Sequence, residues 1–336
     1  MSGAVINASG IRARSPLVKI GRTLLEVREL TTLLFLVLVG TYVATQSSYF
    51  LTSANLKAIV LGASINGIIV VGMTVLLIAG GFDLSVGSVL ALAGAVAGWL
   101  IVSGTPVLLG VLVGVCVGPV VGLANGLLVT KVGINPLITT LGMLSIVRGA
   151  VLLIGGGYGV SNLPPEFNRI GQQVILGYQS PIWVMLALVA AGDLLLRRSR
   201  ALRLAFYVGG NERSARLSGI PVDRVKIGAF MLTSTLAAIA GILLTARFGS
   251  ASVTAGANVE LIVIAAAVIG GASLSGGEGS VLGSLLGVLL LQVIANALTL
   301  LDVPLYWQPI TVGSVLILAV GLDAISRRMR RLDGRS

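Results

Sequence analysis

The feature that most constrains this chain is a series of about ten apolar stretches, each of roughly 16 to 24 residues. A helix of that length crosses the hydrocarbon core of a bilayer, which is about 30 Å thick. The residues are 56% hydrophobic and only 10% charged, far more apolar than those of soluble proteins. We therefore expect an all-α polytopic membrane protein with spans centred near Leu38, Ile68, Ala95, Val117, Leu144, Leu188, Leu236, Ala266, Leu289 and Leu316.

The 23 Lys and Arg residues, which give a formal net charge of +11, are distributed unevenly. With the N-terminus in the cytoplasm, all but four of them fall in inner segments, and this positive-inside bias predicts the orientation. The excess charge then faces anionic lipid and a cytoplasmic partner, so nucleic acid is not an expected partner. We predict a basic cytoplasmic segment over residues 1–30, one transmembrane domain over residues 31–326 and a cytoplasmic tail over residues 327–336. The transmembrane domain includes a cytoplasmic loop over residues 197–226.

The residue types that the chain lacks narrow its chemistry. It contains no His and a single cysteine, Cys116, inside an apolar stretch. An intrachain disulfide is therefore impossible, and zinc hydrolases and His-based proton relays are largely excluded. The sequence has no GxxxxGK[ST] phosphate-binding loop, so it cannot bind ATP by that route. We expect no catalytic residue, no metal and no cofactor.

Glycines occur at every fourth position of the fourth predicted span. Because a spacing of four places them on one helix face, a neighbouring backbone can approach that face closely. Tight helix packing is the simpler interpretation, and a role in lining a path is the alternative. The five residues are Gly110, Gly114, Gly118, Gly122 and Gly126. A weaker internal repeat relates the strings that begin at Gly80 and at Gly270.

Polar groups at membrane depth are costly unless they are satisfied, so the few in this chain are candidate functional residues. Asp83 and Ser85 precede the third span. Either of them could cap that helix, or both could belong to a broken segment that lines a path or contacts a partner. Asn258 and Glu260 open the eighth span, where an Asn cap followed by a carboxylate suits the end of a helix.

Neutral amides form the second polar group. They either hydrogen-bond between helices or give weak contacts to a neutral, hydroxyl-rich solute. Arg148, near the outer part of the fifth span, either snorkels to the interface, pairs with Asp83 or contacts the solute. The amides are Asn66, Asn125, Asn135, Gln292 and Asn296.

The long polar stretch over residues 197–226 carries eight Lys or Arg residues between two apolar blocks. Gly209-Gly210 and Gly219-Ile220-Pro221 divide it into two short helix-like pieces. A structured basic loop of this size predicts a docking surface for a cytoplasmic partner, and a merely solvated loop is the alternative.

Four strings together resemble the ribose-type sugar permeases of ABC importers. The resemblance runs from about Ala54 to the last span, and it is most specific in the order DLSVGS then GGASLSGG. The strings are GMTVLLIAGGFDLSVGSVLALAGA, NGLLVTKVGINPLITTLGMLSIVRG, GNERSARLSGI and ELIVIAAAVIGGASLSGGEGSVLG, which begin at residues 72, 125, 210 and 260.

This resemblance implies a permease of the bacterial inner membrane that imports a small neutral sugar by alternating access. The implied partners are two cytoplasmic ABC ATPase subunits, a periplasmic sugar-binding protein and a second permease subunit, a homodimer being the expected form. A short coupling helix would insert into the ATPase, with coupling assigned to Glu212, Ala215, Arg216 and Gly219. The alternative is a secondary transporter driven by an ion gradient, with Asp83 as its proton carrier.

Overall fold

The computed structural model describes residues 28–304 and, beyond them, residues 306, 307, 309–311, 313, 314, 317, 318 and 321. Helices dominate this part of the chain, and its only regular strands form one short pair. The all-α prediction is confirmed. The segment over residues 1–27, the centre of the tenth predicted span at Leu316 and the tail over residues 327–336 fall outside the described residues.

The apolar helices coincide with nine of the predicted span centres. In chain order the elements are α1 (Arg28–Gln46), α2 (Ser53–Ile78), α3 (Val86–Val102), α4 (Val107–Leu127) with a π-helical turn (Leu128–Val132), α5 (Pro136–Ile154), α6 (Pro165–Gln172), β1 (Val174–Ile175), β2 (Tyr178–Gln179), α7 (Ser180–Arg198), α8 (Arg200–Gly210), α9 (Glu212–Leu217), α10 (Val222–Phe248), α11 (Val259–Ile269) and α12 (Val281–Leu300).

Within the described residues, seven helices are long and apolar enough to cross a membrane by length and composition, and α3 and α11 are shorter apolar helices. The predicted span length is wrong for α11, which has 11 residues. Its start at Val259 agrees with the predicted opening at Asn258. The helix is short because Gly270 and Gly271 end it, with Gly271 at a φ of 101°.

The core is built around α2 and α10. Since α2 is apolar on every side, it is buried rather than peripheral, and Ile68, Met73 and Leu76 on it are fully enclosed. Its neighbour α10 packs against α2, α3 and, most extensively, α4. By contrast, α1 packs on α12 at the periphery and is mostly exposed.

The helices define two ends of the bundle. We call one the basic end, where residues 199–221 form α8 and α9, and the other the hairpin end, where residues 174–179 form the β-hairpin. The last residues of α2 lie at the basic end: the carbonyl of Ile78 accepts from the backbone N–H of Gly277 and lies against Gly209. At the hairpin end, Lys57 at the start of α2 stacks over the ring of Tyr178.

The internal repeat corresponds to two similar helix ends. Both α2 and α11 finish in a glycine with positive φ, Gly80 and Gly271, followed by the paired backbone hydrogen bonds of a Schellman motif. Only glycine adopts this left-handed conformation without strain. The repeated strings therefore encode a helix, a tight stop and a new helix.

The glycine face of α4 is confirmed as a packing surface. All five glycines are buried, and α3 and α10 approach them closely. A Cβ added at Gly118 would lie 2.5 Å from the carbonyl oxygen of Ser234, and one at Gly122 would lie 2.6 Å from the Cα of Met231. Backbone therefore contacts backbone along this seam, as the absent side chains allow.

We expect Gly118→Leu to be destabilised by at least about 3 kcal/mol, because the new side chain must displace the backbone of α10. The measurement is thermal unfolding of the purified protein in detergent. Gly142→Leu is the matched control, since a Cβ at Gly142 meets nothing within 4 Å. If both variants unfold at the wild-type temperature, the close packing of α4 against α10 is incorrect.

Candidate functional site

Two interrupted helices meet inside the bundle. We call this region the helix junction; it comprises residues 79–87, which lead into α3, and residues 249–260, which lead into α11. The N-terminal ends of the two helices are in contact, since a Cβ at Gly87 would touch the carbonyl oxygen of Gly256 and lie 2.6 Å from Oε2 of Glu260. Both sets of unpaired backbone N–H groups, with their partial positive charge, point toward this region.

The helix junction lies near the middle of the bundle's depth. Asp83 contacts Ser234, which stands twelve residues into α10, or about 18 Å from its start at the basic end. Measured from the same end, α11 spans only about 16 Å between its end near the basic end and its first residue. Both lengths are about half of a hydrocarbon core of about 30 Å.

Asp83 organises the first half of the helix junction. Its Oδ1 accepts from the backbone N–H of Ser85 at 2.8 Å and from the hydroxyl of Ser85 at 2.6 Å. The amide of Asn125 donates to that hydroxyl at 3.0 Å and reaches both carboxylate oxygens at 3.4 Å. The hydroxyl of Ser234 donates to Oδ2 at 3.2 Å, and all four residues are fully buried.

This network decides how α3 begins. Neither predicted cap is present: the side chain of Ser85, at the N-cap position, makes no capping hydrogen bond, and the carboxylate of Asp83 instead holds the turn before the helix through the N–H of Ser85. Asp83, Ser85 and Asn125 are brought together by the fold. Ser234 was missed by sequence reasoning; its signal is a run of three hydroxyl residues inside an apolar helix.

Arg148 organises the second half of the helix junction. Its Nη1 donates to the backbone carbonyls of Val253 and Ala255 at 2.9 and 2.8 Å, which ties α5 to the loop before α11. The suggested pairing with Asp83 is wrong, since the described contacts of Asp83 are with other residues. The predicted side-chain cap by Asn258 is also wrong, because that side chain makes no capping hydrogen bond to α11.

A cavity of about 360 Å³ opens beside the start of α11, between α2 and α12. Its polar lining includes three amide side chains, those of Asn66, Asn258 and Gln292. None of the three makes a side-chain hydrogen bond to another described residue, so their donors and acceptors are available. We call this space the junction cavity; Asn66 and Gln292 were recognised from the sequence, whereas Asn258 was assigned only to a cap.

The remaining predicted path residues hold helices in place in this conformation. Asn135 caps α5 by accepting from the backbone N–H of Leu137 at 2.8 Å. Asn296 on α12 and Asn55 on α2 exchange two hydrogen bonds of 2.8 and 3.1 Å. The Asn296 pair corresponds to the interhelical alternative, whereas Asn135 acts as a cap. Neither Asn135 nor Asn296 lines the junction cavity.

The basic end carries a small folded loop around α9. Asn211 caps the helix by accepting from the backbone N–H of Ser214, and Ala215 is buried among Val208 and Val222. At the other end, Gly219 has a φ of 78° and completes a Schellman motif, as predicted for a glycine that ends this helix. The loop is therefore a folded element with its own apolar centre.

An ionic chain fastens this loop to the bundle. Lys226 donates to Glu212 at 2.6 Å, Arg216 to Glu212 at 3.0 Å and to Asp223 at 2.7 Å, and Lys131 to Asp223 at 2.7 Å. The hydrogen bond from Lys226 lowers the pKa of Glu212 below its usual value. Because this pKa is lower in the folded state, the ion pair stabilises the fold at pH values above the pKa of the unfolded chain. The stabilisation is lost as the pH falls through the pKa of the folded state.

The residue of α9 that is most available to a partner is not one of the predicted coupling residues. Glu212 and Arg216 contact their own chain, whereas Leu217 is 84% exposed. An exposed leucine on a helix rimmed by charge is a candidate partner contact. Sequence reasoning missed it, although Leu217 is the one leucine among the charged residues of α9 and is a visible signal.

The sequence family described as a branched-chain amino acid transport system permease component matches residues 55–320. The chain belongs to this permease family. The ribose import permease of Bacillus subtilis (strain 168) is 41% identical over 276 residues, covering 82% of this chain and 86% of that protein. The ribose import permease of Escherichia coli (strain K12) is 39% identical over 304 residues, covering 89% and 94%.

A third relative, the L-arabinose transport system permease protein of Escherichia coli (strain K12), is 39% identical over 282 residues, covering 84% of the permease and 86% of that protein. No solved structure is significantly similar to the permease. The resemblance to ribose-type permeases of ABC importers is thus confirmed, and the permease is an integral, multi-pass membrane protein of that family.

We expect Asp83→Asn to keep most of the transport activity, because one carboxamide oxygen still accepts from the N–H of Ser85. Asp83→Leu should be destabilised by about 1–3 kcal/mol for each buried donor that it leaves unpaired. Thermal unfolding and uptake measure the two effects, with Glu166→Gln as a surface control, since Glu166 is exposed. A proton current that Asp83→Asn abolishes would instead identify a proton carrier.

Proposed function

We propose that the permease is the transmembrane subunit of an ATP-driven sugar importer and forms the translocation path for a small neutral sugar. The observation that carries this proposal is the junction cavity, whose free amide groups lie at mid-depth beside the N-terminus of α11. Ribose and arabinose are the substrates in the names of the relatives, and both are neutral pentoses rich in hydroxyl groups.

The chemistry of the junction cavity suits such a solute. Amide side chains both donate and accept, so they can exchange hydrogen bonds with sugar hydroxyls while adding no charge. A volume of about 360 Å³ is within the usual range of about 300–1,000 Å³ for small-molecule sites. Three amides in a largely apolar lining bind weakly, as a solute that must leave on the other side requires.

The energy for import comes from other subunits. We assign the loop over residues 197–226 to a pair of cytoplasmic ABC ATPase subunits, with Leu217 as an apolar contact and the ionic chain as the support of α9. A periplasmic sugar-binding protein delivers the sugar, and a second permease subunit completes the complex, a homodimer being the simplest form.

The orientation follows from the positive-inside bias. Both termini and the basic end face the cytoplasm of a bacterial inner membrane, and the hairpin end faces the periplasm. In this arrangement residues 1–30 and 327–336 are cytoplasmic segments and residues 31–326 form one transmembrane domain. The junction cavity is then reached from the periplasmic half, along the outer part of α12, where Leu298 lines it.

A secondary transporter is the less favoured reading. Its proton carrier would be Asp83, but the carboxylate is enclosed and already accepts from the side chains of Ser85, Asn125 and Ser234. A carrier needs access to water from both sides in turn, and this residue instead holds helices together.

The test is uptake by proteoliposomes that contain the permease with its ATPase and binding protein. We expect a pentose to be accumulated when ATP is enclosed with the ATPase, and ionophores to have no effect. A panel of labelled pentoses, hexoses and polyols identifies the sugar. Uptake that ionophores abolish and ATP does not stimulate would establish the secondary transporter.

The coupling role of α9 is tested by Leu217→Asp and Gly219→Val. The first places a charge in the apolar contact, and the second strains a left-handed position, so both should lower binding-protein-stimulated ATPase activity and uptake by at least about tenfold. Glu212→Gln should have a smaller effect, since it weakens a half-exposed ion pair. Gly210→Val is the control, because Gly210 has open space and no positive φ. If Leu217→Asp and Gly219→Val both retain wild-type stimulated ATPase activity and uptake, α9 does not couple the permease to the ATPase, and the loop is merely solvated.

A further inference from the structure

A second cavity, of about 600 Å³, lies between α7 and α10. Both helices pack on α2, whose Val71 and Val75 form the floor, and α8 closes the cavity at the basic end. The wall residue Leu195 is 50% exposed, so the cavity is open on the side of the bundle rather than sealed within it. We call it the lateral groove.

The lining of the lateral groove is amphipathic along its length. It is apolar from Leu188 and Leu236 near mid-depth down to the basic end, and its two polar residues, Ser199 and Arg224, both stand at that end. Arg224 lies twelve residues before Leu236 on α10, which makes the apolar part about 18 Å long. That length is close to one leaflet of a hydrocarbon core of about 30 Å.

Arg224 has no counter-ion in the described part of the chain. Three carboxylates of the same end are engaged elsewhere, since Glu212 and Asp223 belong to the ionic chain and Asp193 binds Arg197. The lateral groove therefore ends in an unpaired guanidinium group beside a hydroxyl. Its occupant should combine a long apolar tail with an anionic head.

We propose that the lateral groove binds an anionic phospholipid of the inner leaflet, with one acyl chain along α2 and the phosphate on Arg224. The choice of the inner leaflet rests on the orientation proposed above. The positions of the acyl chain and of the head group follow from the lining of the lateral groove alone. A guanidinium group binds phosphate oxygens in a two-pronged geometry, which favours a phosphate head over a carboxylate or a neutral one. Basic pockets between spans on the cytoplasmic side commonly hold such lipids.

Two glycines shape the lateral groove. Gly192 lacks a side chain where α7 crosses α2, because a Cβ there would touch Val71. Gly228 on α10 faces open space, with nothing within 4 Å of an added Cβ. A larger residue at Gly228 would thus fill the groove without pressing on the fold, and this makes the proposal testable.

The experiment is native mass spectrometry of the purified, full-length permease in detergent. Palmitoyl-oleoyl phosphatidylglycerol and palmitoyl-oleoyl phosphatidylcholine are added in equal amounts, so the probes differ only in the head group. Gly228→Leu fills the lateral groove, Arg224→Gln removes the charge, and Gly142→Leu makes the same substitution at another open position, on α5.

We expect wild-type permease and Gly142→Leu to retain phosphatidylglycerol in preference to phosphatidylcholine. Arg224→Gln should reduce this preference about fivefold, the factor that one basic residue contributes near an anionic lipid. Gly228→Leu should lose the bound phospholipid. Equal retention by Gly228→Leu and the wild type would overturn the site, and equal retention of both lipids by the wild type would overturn the role of Arg224.

A change in the mass of the assembly would also overturn the proposal. If Gly228→Leu dissociates a second copy of the chain while its lipid content is unchanged, the lateral groove is an interface between permease subunits. The measurement contains no sugar, ATPase or binding protein. A failure of lipid binding is therefore distinguishable from a failure of the proposed transport function.

Discussion

The close approach of two helix backbones supports the rest of this structure. Gly118 and Gly122 on α4 rest directly against Ser234 and Met231 on α10, at distances that no side chain would permit. This seam also positions two polar groups, because Asn125 follows on α4 and Ser234 lies in the seam itself. Asp83 joins both, so the start of α3 is fixed by the same packing.

The packing of α4 against α10 links the basic end of the bundle to the helix junction. At the basic end, Lys131 in the turn that continues α4 and Asp223 at the start of α10 belong to the ionic chain that holds α9. At mid-depth the same two helices bind Asp83. A force applied to α9 therefore reaches the helix junction through rigid elements, but coupling also requires contacts that differ between the two states.

Local rules in the sequence predicted much of this fold. The apolar stretches predicted the helices, the spacing of four predicted the glycine face of α4, and a single glycine predicted the end of α9. The left-handed conformation of Asn258 was not predictable, because an Asn followed by a carboxylate is equally typical of a side-chain cap. The partners of Arg148 are backbone carbonyls about a hundred residues away, and no side-chain pattern marks a carbonyl.

The central claim is that the junction cavity belongs to a path that opens alternately to the two sides. The most direct measurement is the rate at which Gln292→Cys, in a Cys116→Ser background, reacts with a membrane-impermeant thiol reagent in the assembled complex. Tyr158→Cys is the control, since Tyr158 is 97% exposed in a loop at the hairpin end. We expect the Gln292→Cys rate to differ between the nucleotide-free and vanadate-trapped states and to fall when sugar is present, while the control rate is constant. Equal rates in both states, with no protection by any transported sugar, would contradict it.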